Sequence, residues 1–307
     1  MKKNIFLLLF STLLIAGCNE DEASFSDPQA DYSSFYSDIK PGGVWLKVGD
    51  VMIIGTSDID YYDASSHIFY LKSELSNLKK IEHGRSLSVF VDQTEIYSCS
   101  FHYVYSSSLP TGPFIWSSPF LYPEYVLMIN FSSYSYDDNI ISDPRNDDRI
   151  IEALKKYDQY HEGLHFDIQS VTMSQGKMIM DAELYNPDTF DYYYLDPDKM
   201  GMGLFHYYTN GLLLYDNNYK SYTNQETSVS PEPWNSWNVK WMSLIKSGER
   251  KKISLTYNYF EEVPPGSYQV HFSFPGLSYH IKQNDLQQMG GRIRLGDISA
   301  TKDIVID

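Results

Sequence analysis

From residue 166 to the end of the chain, hydrophobic and polar positions trade places with a period of two. Phe166 and Ile168 alternate with Asp167 and Gln169, and Met178, Met180, Ala182 and Leu184 with Ile179, Asp181 and Glu183. Ile253, Leu255, Tyr257 and Tyr259 alternate with Ser254, Thr256 and Asn258, and Tyr268, Val270, Phe272 and Phe274 with Gln269, His271 and Ser273. Successive side chains of a strand point to opposite faces, so this pattern predicts strands with one buried face. Turn clusters such as Asn186-Pro187-Asp188 and Pro264-Pro265-Gly266 separate the runs. About seven such strands are expected, and they predict a β-sandwich over 166–307.

The preceding stretch, 41–145, predicts a small α+β domain with a mostly antiparallel sheet. Val51 to Ile54 and His67 to Tyr70 read as strands, while Leu71, Leu75 and Leu78 recur at helical spacing. Leu87, Val89 and Val91, a turn at Asp92-Gln93-Thr94, and the alternating Tyr97, Cys99, Phe101, Tyr103 and Tyr105 predict a hairpin. Tyr125 to Phe131 is one more strand. A connecting helix is expected over 146–165. Asn146 serves as its N-cap, Asp147 and Asp148 complement its dipole, and Ile150, Ile151, Leu154 and Tyr157 form its apolar stripe.

The start of the chain carries an address. Lys2 and Lys3 precede an apolar run from Ile5 to Ile15, and Ala16-Gly17 lead into Cys18. This is the layout of a cleaved signal peptide over 1–17, and the apolar run is too short to span a bilayer. Ile15-Ala16-Gly17-Cys18 resembles the lipobox of bacterial lipoproteins, which implies cleavage before Cys18 and a lipid on its thiol. Asn19-Glu20-Asp21-Glu22 looks like the export signal of Bacteroidetes surface lipoproteins. The resemblance implies a chain anchored in the outer membrane and displayed outside the cell. Residues 18–40 read as a flexible acidic tether.

Loss of the first seventeen residues leaves 22 basic side chains against 40 acidic ones, a net charge of −18. Such a surface repels phosphate backbones, which argues against nucleic-acid binding. Cys18 and Cys99 are the two cysteines, so an exported fold with a lipidated Cys18 stands without a disulfide. Cys99 is in phase with Tyr97 and Phe101 and is expected to be a small buried hydrophobe.

Gly266-Ser267-Tyr268-Gln269-Val270 resembles the tyrosine corner of immunoglobulin-like domains, with Val270 where antibody domains carry a cysteine. Ser247-Gly248-Glu249 and Pro265-Gly266 are similar to turns of envelope sandwich domains. The resemblance implies an immunoglobulin-like fold for the C-terminal half and nothing about activity.

Two segments carry candidate chemistry. His161-Glu162-Gly163-Leu164-His165 has the H-E-x-x-H form of the zincins, which implies His161 and His165 as zinc ligands and Glu162 as general base. Against it, Gly163 suits a helix end, the strand pattern resumes at Phe166, and no third ligand follows at metzincin spacing. The second segment is Pro233-Trp234-Asn235-Ser236-Trp237-Asn238-Val239-Lys240-Trp241. Flat rings stack on sugar faces while amides bond hydroxyls, so Trp234, Trp237, Trp241, Asn235 and Asn238 form a candidate glycan-binding set. The competing reading places the rings in the core. Phe205-His206-Tyr207-Tyr208 reads as a strand. The acidic clusters Asp58-Ile59-Asp60, Asp137-Asp138 and Asp196-Pro197-Asp198 lack EF-hand spacing, so solvated turns are expected ahead of a loop calcium ion.

These readings converge on a lipid-anchored surface protein that binds an extracellular glycan or envelope protein without catalysis and without a cofactor. The alternatives are a zinc-dependent hydrolase and a structural envelope component.

Overall fold

The computed structural model describes residues 42–49, 51–74, 85–117, 122–133, 142–174, 176–209, 211–278 and 281–306. The signal peptide, Cys18 and the tether to residue 40 lie outside the described residues. So do Leu75 and Leu78 of the expected early helix, and the Asp137-Asp138 cluster.

The chain is mainly β. Its strands run β1 (Val44–Val48), β2 (Val51–Ile54), β3 (Ile59–Asp63), β4 (Ile68–Leu71), β5 (Ser86–Val91) and β6 (Thr94–Tyr103). Next come β7 (Gly112–Ser117), β8 (Val126–Met128), β9 (Asn130–Ser132), helix α1 (Asp148–Lys156) and β10 (Tyr160–His161). The second half holds β11 (His165–Ser174), β12 (Lys177–Tyr185), β13 (Tyr192–Leu195) and two short helices, α2 (Pro197–Met200) and α3 (Met202–Tyr207). It continues with β14 (Leu213–Asp216), β15 (Ser221–Thr223), β16 (Met242–Ile245), β17 (Arg250–Tyr257) and β18 (Gly266–Phe274). After α4 (Gln283–Leu286), the chain ends in β19 (Gln287–Gln288), β20 (Gly291–Ile293) and β21 (Ile298–Ile306).

These strands assemble into five small sheets in a five-bladed, propeller-like arrangement. That arrangement replaces both the expected α+β domain and the expected immunoglobulin-like sandwich. The sheets run β2-β1-β5-β6-β7-β9, β10-β3-β4-β8, β11-β12-β17, β16-β13-β20-β19 and β15-β14-β18-β21. They are not consecutive in sequence, as the blades of repeat propellers are; each draws strands from separated stretches. Met178 of β12 faces Tyr257 of β17, and Tyr192 of β13 pairs in parallel with Arg292 of β20. Period-two alternation reveals that a strand exists and which face is apolar. It does not reveal the strand's neighbours, so the expected sheets differ from the observed ones.

The alternation itself holds at residue level. In β12, Met178, Met180, Ala182 and Leu184 are buried, while Lys177, Asp181 and the half-buried Ile179 and Glu183 occupy the other face. The β4 run Ile68-Phe69-Tyr70-Leu71 is buried throughout because its sheet separates two cores. Ile68 and Tyr70 join Tyr61 in the core shared with the C-terminal sheets. Phe69 and Leu71 join Tyr62, Leu87, Cys99, Phe101 and, from α1, Ile150, Ala153 and Leu154 in the N-terminal core, while Tyr157 of the expected stripe is exposed. A sheet buried on both faces reads as a continuous apolar run. Cys99 is 1% exposed and its Sγ lies 3.2 Å from the Leu87 carbonyl oxygen, while burial pushes its thiol well above the ordinary cysteine range.

Several local expectations change. The connecting helix ends at Lys156, and its N-cap is Asp147 instead of Asn146, with the Asp147 carboxylate accepting the Arg149 amide at 2.9 Å. Tyr125 to Phe131 divides between β8 and β9, which belong to different sheets. Phe205 to Tyr208 is the end of α3 rather than a strand. Asp196 caps α2, accepting the Asp198 amide, and Asp58 accepts the Gly55 amide. The tyrosine-corner bond is present, with Tyr268 Oη donating to the Pro264 carbonyl at 2.6 Å. A bond that closes over four residues is set by local sequence and leaves the global arrangement open. No helix of the described residues is long and apolar enough to cross a membrane.

Candidate binding cleft

The H-E-x-x-H segment does not form the helix its zinc chemistry requires. His161 ends β10, which runs parallel to β3, and His165 begins β11. Between them Gly163 takes φ +77°, a conformation suited to glycine, and a Cβ there would collide with Asp63 Oδ1 and Ser65 Oγ. The Gly163 amide donates to Asp188 Oδ2 at 2.9 Å.

His161 is engaged in packing and in a carboxylate contact. Its Nδ1 donates to Asp188 Oδ1 at 2.7 Å, and its ring stacks on Phe190 with centroids 3.6 Å apart. Asp188 also accepts the Tyr192 hydroxyl at 3.0 Å. Burial alone would raise the Asp188 carboxyl, but the His161 and Gly163 donors outweigh it and hold the carboxyl at about 2. His165 is half-exposed and lies 3.2 Å from Glu162. Among the described residues no three histidine, cysteine or acidic side chains gather as a metal site. The pair His161–Asp188 is a latch between the second sheet and the turn before β13.

The tryptophan segment behaves differently. Its turn, Pro233 to Ser236, lies between β15 and β16, closed by the Ser236 amide on the Pro233 carbonyl at 2.8 Å. Two tyrosines at the end of α3 hold it in place. Tyr207 Oη donates to the Trp234 carbonyl at 3.1 Å, and Tyr208 Oη to the Ser236 carbonyl at 2.9 Å. With those hydroxyls bound to the loop, the tyrosine rings meet edge to face at 5.3 Å. Burial pushes the Tyr208 hydroxyl up to about 12, so it remains a neutral donor at physiological pH.

Tyr207, Tyr208, Trp234 and Trp237 line a cleft of about 460 Å³, together with Tyr122, Asn235 and Asp297. Trp234 is 56% exposed, while Trp237 is partly buried against the main core. The opposite wall is a tight crossing of two backbones. A Cβ on Gly276 would collide with the Gly296 carbonyl oxygen, so the chain passes there only as glycine. The Gly276 amide then donates to Asp297 Oδ1 at 3.1 Å and fixes that carboxylate at the cleft.

Of the five sequence candidates, Trp234, Asn235 and Trp237 line the cleft and two do not. Asn238 is spent as a cap, its Oδ1 accepting the Lys240 amide at 2.9 Å. Trp241 closes a 3-10 turn and packs 6.3 Å from the Tyr208 ring. The residues missed by sequence reasoning are Tyr207, Tyr208, Gly276 and Asp297. The aromatic run Phe205-His206-Tyr207-Tyr208 carried a signal, but its helical setting hid which rings face the loop. Asp297 lies 60 or so positions from the tryptophans, and no local pattern marks it.

Chemically, the cleft offers flat rings for stacking, an amide and hydroxyls for hydrogen bonds, and one carboxylate.

No known protein family matches the chain, and no curated protein matches it. Among solved structures, the chain is similar to a β-glucosidase from Kluyveromyces marxianus in complex with glucose, at 13% identity and a TM-score of 0.20. The selenomethionine-labelled form of that enzyme gives 12% identity and the same TM-score. The matches cover 47% of this chain and 14% of those chains. Likeness at that level says nothing about function, and the residues of the cleft remain the basis for any functional reading.

Proposed function

We propose that the protein is a lipid-anchored surface module that binds an extracellular glycan in the cleft between α3 and the Trp234 turn. The observation that carries the reading is the convergence of Trp234, Trp237, Tyr207 and Tyr208 on one cleft that also presents Asn235 and Asp297. A ring as exposed as Trp234 leaves a large apolar face in water, and a sugar face covers it. The polar neighbours can bond hydroxyls around the edge of such a ring. The amino-terminal lipobox-like sequence supports attachment through Cys18 and placement at the outer membrane. Many copies on one surface would turn weak single contacts into avid binding.

Tryptophan fluorescence tests the cleft. A bound polysaccharide should shift the emission and protect it from acrylamide. Trp234→Ala should weaken binding about fivefold to tenfold, in line with roughly 1 kcal/mol for an aromatic stacking contact. Trp241→Phe, outside the cleft, should leave affinity within about twofold. Equal effects of the two substitutions would remove the cleft from the binding event. Labelled fatty acid should enter the wild-type protein and not Cys18→Ala.

A further inference from the structure

We infer that Asp297 makes the cleft selective for neutral glycans over uronic-acid or sulfated ones. The inference rests on the glycan reading above and adds the chemical class of the ligand.

Asp297 supplies the charge of this site. Among the described residues lining the cleft, it is the one acidic side chain, and no lysine or arginine is among them. Its position is set by backbone on both sides. Oδ1 accepts the Gly276 amide, and Gly276 is pressed against the Gly296 carbonyl oxygen. The cation near it is Arg294, which is 3% exposed and donates Nη1 to the Gly296 carbonyl. Arg294 therefore acts on Asp297 from within the protein and is closed to a ligand in the cleft.

A neutral sugar can donate a hydroxyl proton to this carboxylate, and hydrogen bonds to an ionised acceptor are about twice as strong as neutral ones. A uronate or sulfate would bring a second negative charge into the same cleft. The two anions would repel, and because the Asp297 side chain is exposed the repulsion is greatest at low ionic strength. The net charge of the whole chain, −16, adds repulsion at longer range. The Asp297 side chain is exposed at the cleft, yet desolvation by the protein around it raises its carboxyl, and the Gly276 amide and Arg294 offset this only in part. A hydroxyl donor relieves that unfavourable setting, whereas an added anion deepens it.

The test is a binding titration of the full chain, read by tryptophan fluorescence. The probes are neutral gluco-, manno-, galacto- and N-acetylglucosamine oligosaccharides, set against oligogalacturonate and oligoguluronate of the same length. At least one neutral series should bind, with the uronates at least tenfold weaker. Asp297→Asn keeps the Gly276 contact and removes the charge. It should lose about tenfold in affinity for the neutral ligand and bring the uronates to within about threefold of it. Uronates that bind wild type as tightly as the neutral sugars would overturn the inference and leave the glycan reading standing. An undiminished preference in Asp297→Asn would do the same. Failure of every saccharide to bind would overturn both. Circular dichroism and melting of Asp297→Asn establish that the variant is folded, and Asp297→Ala provides a second uncharged side chain at the same position.

Discussion

Gly163 shows how much one position can carry in this chain. Its φ of +77° costs an L-residue about 1–2 kcal/mol, and its missing side chain leaves room for the Asp63 and Ser65 side chains. Its amide also satisfies Asp188. Gly163→Ala is therefore expected to destabilise the protein by more than 2 kcal/mol, combining the strained backbone with displaced hydrogen bonds. Urea denaturation at neutral pH measures this, and a loss below about 0.5 kcal/mol would show that the turn relaxes freely. The sequence places Gly163 at the end of the connecting helix, whereas that helix stops at Lys156 and Gly163 forms the turn between β10 and β11. The partners it touches, Asp63 and Asp188, lie about 100 positions before it and 25 after it, beyond the reach of a local pattern.

At the scale of elements, α3 and the Trp234 turn form one unit. Phe205 is fully buried and fastens the helix to the core, while Tyr207 and Tyr208 reach out to the loop carbonyls. Tyr208→Phe removes one of these bonds and leaves the Ser236 carbonyl with one donor fewer. It is expected to cost about 1 kcal/mol of stability and to make the Trp234 ring more accessible to acrylamide. The ring remains in place to line the cleft, so an unchanged quenching profile would show that Tyr208 does not hold the loop. Strands such as β12, β17 and β18 were legible because half-buried strands have a two-residue period. The helix α3 was not legible because six residues make fewer than two turns, too short a window for a 3.6-residue period.

Across the whole molecule, buried acids tie the sheets together and set opposing pH dependences. Asp188 is held at about 2, below the ordinary aspartate value near 4. Its contribution is present above about pH 4 and disappears as pH falls toward 2, and it amounts to about 2 kcal/mol. Asp63 is raised by burial despite bonds from Ser65 and Ser66, so its effect runs the other way. It favours the fold below the ordinary carboxylate pKa and weakens it as pH climbs through the raised value. Asp188→Asn should thus be less stable than wild type at pH 7, with the difference shrinking toward zero by about pH 2. Denaturant midpoints across that range provide the check, and a gap that stays constant with pH would exclude the His161–Asp188 pair as its source.

The sequence by itself determined the β-rich character, the buried faces of individual strands, the burial of Cys99 and three residues of the cleft. Each of these follows from periodicity, composition or a local cluster of rings, which act over a few neighbouring residues. The tertiary structure alone decided that the strands form five interleaved sheets in place of an α+β domain and a sandwich. It also placed Tyr207, Tyr208 and Asp297 beside Trp234. Strand pairing depends on which distant edges and faces meet, and most strands here find a partner far along the chain or on the far side of another sheet. The cleft inherits that dependence: its aromatic wall is written in one short segment, while its carboxylate comes from a backbone crossing between Gly276 and Gly296 that exists only after the sheets have packed.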